Sequence, residues 1–191
     1  VLTVDVDSVV IGGGLLGLEA SRGLQLQGCD VTVLHLGTHL MDRQLDFTGG
    51  QFLKRKLESL GIAVICKAST AALTGEGHVE GVQLTDGRTL EANLVVVAAG
   101  IKPNAALAKA AGLDVNKGIL VNEYLETSHP DVFAVGECTE FNGQLFGLVA
   151  PLCAQAEVCA SHLARFGISR YTGSVTSTKL KVTGIDLFSA G

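Results

Sequence analysis

The sequence holds no tryptophan, one methionine, three prolines and five cysteines among 191 residues. The cysteines stand at 29, 66, 138, 153 and 159, with no CxxC pair and an odd count. Structural zinc and iron–sulfur sites need grouped thiolates, so no metal site is expected within this chain. The same scatter argues against a disulfide framework and for reduced thiols in a cytoplasmic setting. Cys138 and Cys153 are expected to be small buried thiols, not a redox pair. Charge is also scarce. Charged residues make up 17%, apolar residues 47%, and the net charge is −5. No clustered basic surface is present for nucleic acid, and the chain is too apolar to stay disordered. Long hydrophobic runs are missing despite a mean hydropathy of +0.39. The longest uncharged run, Phe141–Ala156, contains Asn142, Gln144, Pro151 and Gln155. It falls short of the ~20 apolar residues of a membrane helix. Val1–Asp7 carries two aspartates and no basic residue, so it is not expected to be a signal peptide.

Glycine is the excess: 24 residues, nearly double the ~7% average usage. Three of them follow the β-branched run Ser8–Ile11. A helical pattern comes next over Leu15–Gln27, with Leu16, Ala20 and Leu24 on one stripe, and then an apolar strand at Val31–Leu36. Strand, glycine turn, helix and strand in under about thirty residues describe a βαβ unit. Asp46–Leu60 reads as a second helix with Phe52, Leu53, Leu57 and Leu60 buried, and Lys54, Arg55, Lys56 and Glu58 as its solvated face. Ile62–Cys66 reads as a third strand. Between Thr70 and Glu91 the pattern turns antiparallel around Asp86-Gly87. Leu94–Ala99 is a continuous apolar strand, as expected when both sheet faces are covered.

After Gly100 the character changes. Lys102-Pro103-Asn104 is a turn. Short elements are expected at Ala105–Ala111, Gly118–Val121 and Val132–Val135, then a helix over Ala150–Phe166 and polar β-structure over Tyr171–Gly191. The boundary falls near residues 100–104. The expected organisation is α/β, with a dinucleotide-binding domain at residues 1–101 and a second domain at 102–191.

Gly12-Gly13-Gly14-Leu15-Leu16-Gly17 fits G-x-G-x-x-G in its confirming context, after a strand and opening a helix. Gly12 permits the tight turn. Gly14 lets the backbone approach a pyrophosphate. Gly17 lets the helix lie close to the sheet. Leu15 and Leu16 share that turn, whose free N–H groups would hold the diphosphate at the positive end of the helix. The acid that usually reads the ribose at the end of the second strand is missing, because His35 stands there. The nearest acid downstream is Asp42 and the nearest guanidinium is Arg43. His35 either meets the adenosine ribose or its phosphate, or simply ends a strand toward solvent. The residues favour neither NAD nor NADP.

Residues 8–104 resemble the pyridine-nucleotide domain of the two-dinucleotide flavoprotein reductases, through VVIGGGLLGLEAS (9–21) and LVVVAAGIKPN (94–104). TSHPDVFAVGEC (127–138) resembles the second flavin motif of that family, with Gly136-Glu137 where Gly-Asp is usual. More narrowly, GGGLLGLEAS (12–21), VTVLHLGTHLMDRQLD (31–46), LFGLVAPL (145–152) and YTGSVTSTKLKVTGIDLFSAG (171–191) resemble the large subunits of NAD(P)H-dependent assimilatory nitrite reductases.

The resemblance implies a Rossmann-like FAD/NAD(P)-binding fold: a nucleotide domain plus the later part of a discontinuous FAD domain. It implies NAD(P)H binding here, and FAD in a longer enzyme. The first flavin half would precede residue 1. An iron–sulfur cluster and siroheme would follow residue 191. It places Glu19 beside the nicotinamide, Gly100 at the close approach of the nucleotide, Gly136 and Glu137 at the ribityl chain, and Leu148, Val149 and Ala150 near the flavin ring. No catalytic side chain is expected, because the cofactors carry the reaction. The implied partners are the pyridine nucleotide, the rest of a nitrite reductase large subunit and a small subunit. An uncovered flavin-side surface including Phe146, Leu148 and Val149 is expected to be exposed or repacked, and to favour homo-oligomers. Two other readings compete. One is a rubredoxin, ferredoxin or disulfide reductase flavoprotein. The other is a nucleotide-binding piece with no turnover of its own.

Overall fold

The computed structural model describes residues 6–164, 167–175 and 177–190, which form two compact units. The first contains β1 (Asp7–Ile11), α1 (Leu15–Leu26), β2 (Asp30–His35), α2 (Phe47–Ser59), β3 (Ile62–Cys66), β4 (Thr70–Thr74), β5 (Gly81–Leu84), β6 (Thr89–Glu91) and β7 (Leu94–Val97). Four strands form a parallel sheet in the order β3-β2-β1-β7, and β4-β5-β6 form an antiparallel meander.

Side chains alternate across the parallel strands, and this splits the interior into two cores. Val10, Val31 and Val33 meet Leu18 of α1, Leu53 and Leu57 of α2, and Ile62 and Val64 of β3. Val9 and Leu34 face the other way, onto Val82 and Leu84 of the meander. The sheet is thus covered by helices on one face and by a second sheet on the other.

The helical stripes differ from the sequence expectation. In α1 the buried residues are Gly17, Leu18 and Ser21, while Leu16 is 71% exposed. Gly17 must lie against the strands, which turns the helix away from the Leu16–Ala20–Leu24 stripe. Ser21 satisfies its hydroxyl on the Gly17 carbonyl at 2.6 Å. In α2 the buried face is Gly50, Leu53 and Leu57, and Phe52 is exposed. Asp46 caps α2 by accepting from the Gly49 N–H at 2.7 Å. Among the described residues β7 pairs with β1 alone, so the apolar run 94–99 is an edge strand with Val97 65% exposed.

The second unit holds α3 (Ala106–Ala110), β8 (Ile119–Val121), β9 (Thr139–Phe141), β10 (Gln144–Leu145) and α4 (Val149–Leu163). Its sheet runs β10-β9-β8. The β9–β10 hairpin was not anticipated, although Asn142-Gly143 carries its signal: both residues have positive φ, at 49° and 78°, as a type I′ turn demands. The strand expected at Val132–Val135 is only an isolated bridge between Glu126 and Phe133. The expected end of α4 at Phe166 lies outside the described residues. Tyr171 centres the core of this unit, edge-on to Phe141 and Phe146. Phe146, expected on the uncovered surface or repacked, is 2% exposed.

Residues 171–175 form no strand, and β-structure in the terminal segment is confined to the hairpin β11 (Ser177–Val182) and β12 (Ile185–Ala190). The hairpin groups with the first unit, whereas the sequence division placed it with 102–176. Leu180 and Val182 enter the α1–α2 core, and Ser189 Oγ donates to the Gln44 carbonyl at 2.7 Å. No helix among the described residues is long and apolar enough to cross a membrane. All five cysteines are free thiols. Burial pushes the Cys66 and Cys159 thiols above their ordinary value, while Cys153 is exposed, contrary to expectation.

Glu140 on β9 is 3% exposed yet carries a carboxylate. It accepts from the backbone N–H groups of Lys117 and Gly118, at 2.9 and 3.0 Å, and from Asn116 Nδ2 at 2.9 Å. The Gly118 N–H first, then the Asn116 amide, hold its carboxyl below the ordinary 4.5. A depressed carboxyl contributes stability that is fully present above the unfolded value and is lost as pH falls through the folded one. Glu140→Gln should therefore lower the stability of this unit by about 2 kcal/mol. It should also flatten the fall in stability below pH 4.5. Urea titrations of both proteins from pH 7 to 3, at roughly one-unit steps, check this; parallel curves would remove Glu140 from that role.

Candidate functional site

The first unit places a turn where β1 ends. Gly12 has φ +125°, and a Cβ there would run into the Ala98 carbonyl just beyond β7. A Cβ on Gly17 would strike the Gly12 carbonyl. These two positions are glycine because backbone meets backbone. Gly14 differs: a Cβ there meets nothing within 4 Å. It stands at the N-cap of α1. That cap has no side-chain hydrogen bond, and the first turn has no acidic residue. The leading N–H groups of a 12-residue helix are thereby left for an anion.

Strand order puts this turn at a switch point. β1 lies between β2 and β7, and in open α/β sheets ligands settle beyond the carboxyl ends of the strands at such a place. Leu15, the first residue of α1, is half-buried, and Leu16 beside it and Val97 at the end of β7 are exposed. Gly100, with φ +99°, has open space around it.

His35 does not end β2 toward solvent. It is 9% exposed, and its Nδ1 accepts from the Gly13 N–H at 3.2 Å. The ring thus serves as a strut beneath the glycine turn. Gly13, which sequence reasoning passed over, must be glycine for the same reason: a Cβ would lie 2.8 Å from His35 Cγ and 2.5 Å from Leu40 Cδ2. Glu19 is half-buried on α1, and its Oε1 accepts from the Lys181 N–H of β11 at 3.0 Å. One carboxylate oxygen is therefore committed to the hairpin.

The second unit holds a second group of expected residues. Gly136, with φ +101°, donates its N–H to Gln155 Oε1 at 2.9 Å. Its carbonyl accepts from Thr139 Oγ1 at 2.8 Å. Glu137 is exposed, and its Oε1 lies 3.0 Å from where a Cβ on Gly147 would stand. Glycine at 147 therefore leaves the carboxylate its room. Leu148 follows directly as the N-cap of α4, again with no side-chain cap and no acidic first turn. Val149 and Ala150 are exposed and Leu148 half-buried. An acidic side chain, a glycine cradle and an uncapped helix start fit the ribityl and ring portion of a flavin. Gln155 was also missed from sequence. Its signal was a polar residue at helical spacing between Pro151 and Cys159, and the structure buries it completely.

The glycines separate by function, and the separation is measurable. Gly12→Val and Gly17→Val should each cost more than about 2 kcal/mol of stability, because backbone must shift. Gly14→Val should leave the thermal midpoint nearly unchanged. Differential scanning of the three variants checks this.

The chain matches the family model "Pyridine nucleotide-disulphide oxidoreductase" over residues 3–162. It is 50% identical over 184 residues to a nitrite reductase [NAD(P)H] of Bacillus subtilis (strain 168), covering 96% of this chain and 23% of that protein. It is 46% identical to an assimilatory nitrate reductase electron transfer subunit of the same organism, with 96% and 24% covered. The chain therefore spans under a quarter of these curated relatives. Among solved structures, an NAD-dependent persulfide reductase from A. fulgidus superposes with a TM-score of 0.92 at 27% identity, covering 97% of this chain and 36% of that one.

Proposed function

The chain belongs to the pyridine nucleotide-disulphide oxidoreductase family, and on that premise we propose that it is the NAD(P)H-to-FAD electron-input module of an enzyme that reduces nitrite to ammonia. The observation that carries this reading is the open face of Gly14 at the uncapped start of α1. It is the one glycine of the turn whose missing side chain no protein atom requires. A pyrophosphate approaching the backbone there supplies the requirement. Half-identity to a nitrite reductase over 96% of the chain supports the assignment to that enzyme class.

Bound nicotinamide and flavin supply the hydride chemistry. The residues of this chain bind and orient. The N–H groups of Leu15, Leu16 and Gly17 hold the diphosphate, and Gly12 and Gly17 fix α1 where those groups converge. Gly100 keeps the opening clear. Glu19 holds the nicotinamide end through the oxygen that β11 leaves free. Glu137, held by the Gly136–Gln155 bond, accepts from the ribityl hydroxyls. Leu148, Val149 and Ala150 border the flavin ring. The adenosine half of FAD needs its own glycine turn, and the single G-x-G-x-x-G of this sequence serves the pyridine nucleotide. Siroheme and an iron–sulfur cluster belong to the remaining three-quarters of such a large subunit, a small subunit is its separate partner, and the enzyme works in the cytoplasm.

The chain has no tryptophan, so nicotinamide fluorescence is read against little protein background. NADH should bind the native chain, and Gly14→Val should weaken it at least tenfold, or about 1.4 kcal/mol, with an unchanged thermal midpoint. Undiminished affinity would end the assignment. Purified in excess FAD and then desalted, the chain should retain flavin well below one per molecule, read from its visible absorbance. A stoichiometric yellow protein would mean that it holds FAD unaided.

A further inference from the structure

The second strand ends in His35, yet a carboxylate stands beside it. Asp42 Oδ2 lies 3.7 Å from His35 Nε2. It comes from the loop that follows β2, seven positions along the chain, and the fold brings it back by three devices. Met41 donates its N–H to the Gly13 carbonyl at 2.9 Å, which ties the loop to the nucleotide turn itself. Leu40 and Met41 are 0% and 1% exposed, so the loop is anchored in the core. Met41 also holds φ at +52°, a conformation that a non-glycine residue keeps only where its surroundings impose it. The third device is an empty space. A Cβ on Gly37 would stand 2.6 Å from Asp42 Oδ2 and 2.7 Å from His35 Nε2, so only glycine at 37 lets the carboxylate lie against the strand end.

The state of His35 completes the arrangement. Nδ1 accepts from the Gly13 N–H, so the neutral ring carries its proton on Nε2. That nitrogen is buried and finds no hydrogen-bond partner among the described residues. It points toward Asp42, too buried to meet a ligand itself. The Asp42 side chain, 45% exposed, is open to one.

We propose that Asp42 reads the adenosine ribose of the bound nucleotide, supplying from the loop the carboxylate that the end of β2 lacks, and that it makes the chain prefer NADH over NADPH. This rests on the reading of the glycine turn as the nucleotide site. A carboxylate accepts from the 2′-hydroxyl in a charge-assisted bond and repels a 2′-phosphate, which bears about −1.5 to −2 charges at neutral pH. His35 acts as the positioning residue for both the turn and the carboxylate.

The test compares NADH and NADPH affinities by nicotinamide fluorescence in the native chain, Asp42→Asn, Arg43→Ala and Gly14→Val. The native chain should bind NADH at least tenfold more tightly than NADPH. Asp42→Asn should shrink that ratio tenfold or more without moving the thermal midpoint, whereas Arg43→Ala should leave the NADH preference in place. A merely structural role for Asp42 would weaken both nucleotides alike and leave the ratio unchanged. A native ratio near one, or a ratio unmoved by Asp42→Asn while Gly14→Val abolishes binding of both, overturns the assignment of Asp42 alone. Undiminished binding in Gly14→Val overturns the nucleotide-turn reading and the Asp42 assignment with it.

Discussion

The first unit depends on one close approach of backbone to backbone. α1 begins directly beyond β1, and it reaches its place against the sheet because neither Gly12 nor Gly17 carries a side chain. The rest follows from that contact. It turns Leu18 and Ser21 inward and Leu16 outward. It aims the unpaired N–H groups of the first turn past the ends of β1 and β7. It also leaves Gly14 as the one glycine of the turn with open space where a Cβ would stand. A helix held a methyl group further away would still be a helix, but its N-terminus would no longer converge with the strand ends, and the proposed anion site would be lost.

In both units polar side chains are used sparingly and in buried places. His35 supports the glycine turn from below. Gln155 holds the Gly136 turn in the second unit, and Glu140 ties residues 116–118 to β9. Each is a polar group under 10% exposed that satisfies backbone N–H groups which the local secondary structure leaves unpaired. This is the physical reason that turns next to a proposed ligand site stay rigid: a buried donor without a partner costs roughly 1–3 kcal/mol, so the acceptor and the turn are retained together. Neither Leu15, Leu16, Val149 nor Ala150 contributes in this way; their share is backbone and shape.

The βαβ unit, the glycine turn and the hairpin around Asp86-Gly87 were legible in the sequence. They rest on local chemistry: β-branched runs, the conformational freedom of glycine and short-range periodicity. The same local rules reach the start of α4, expected at Ala150 and found at Val149, whereas the Gly136-Glu137 turn was reached only through the family resemblance of residues 127–138. What local rules could not supply was direction and partnership. The period of α1 admits several stripes, and only the sheet beneath it selects Gly17–Leu18–Ser21. An apolar run such as 94–97 reads as central, and only the strand order makes it an edge among the described residues. The fate of residues 177–190 was equally beyond reach, since Leu180 and Val182 join a core whose other members lie more than a hundred residues earlier.

The sequence by itself determined which glycines form the turn, where the helices and the parallel strands of the first unit run, and the family to which the chain belongs, because those features are written in neighbouring residues. Tertiary structure alone decided what His35, Glu19 and Asp42 do. His35 became a strut because Gly13 lies over it. Glu19 was drawn to β11 across 162 positions. Asp42 was returned to the end of β2 by Met41, whose N–H finds its acceptor on the glycine turn. Each of these roles needs a partner that the chain brings near only by folding, and no spacing along a sequence encodes the distance between a loop carboxylate and a strand end.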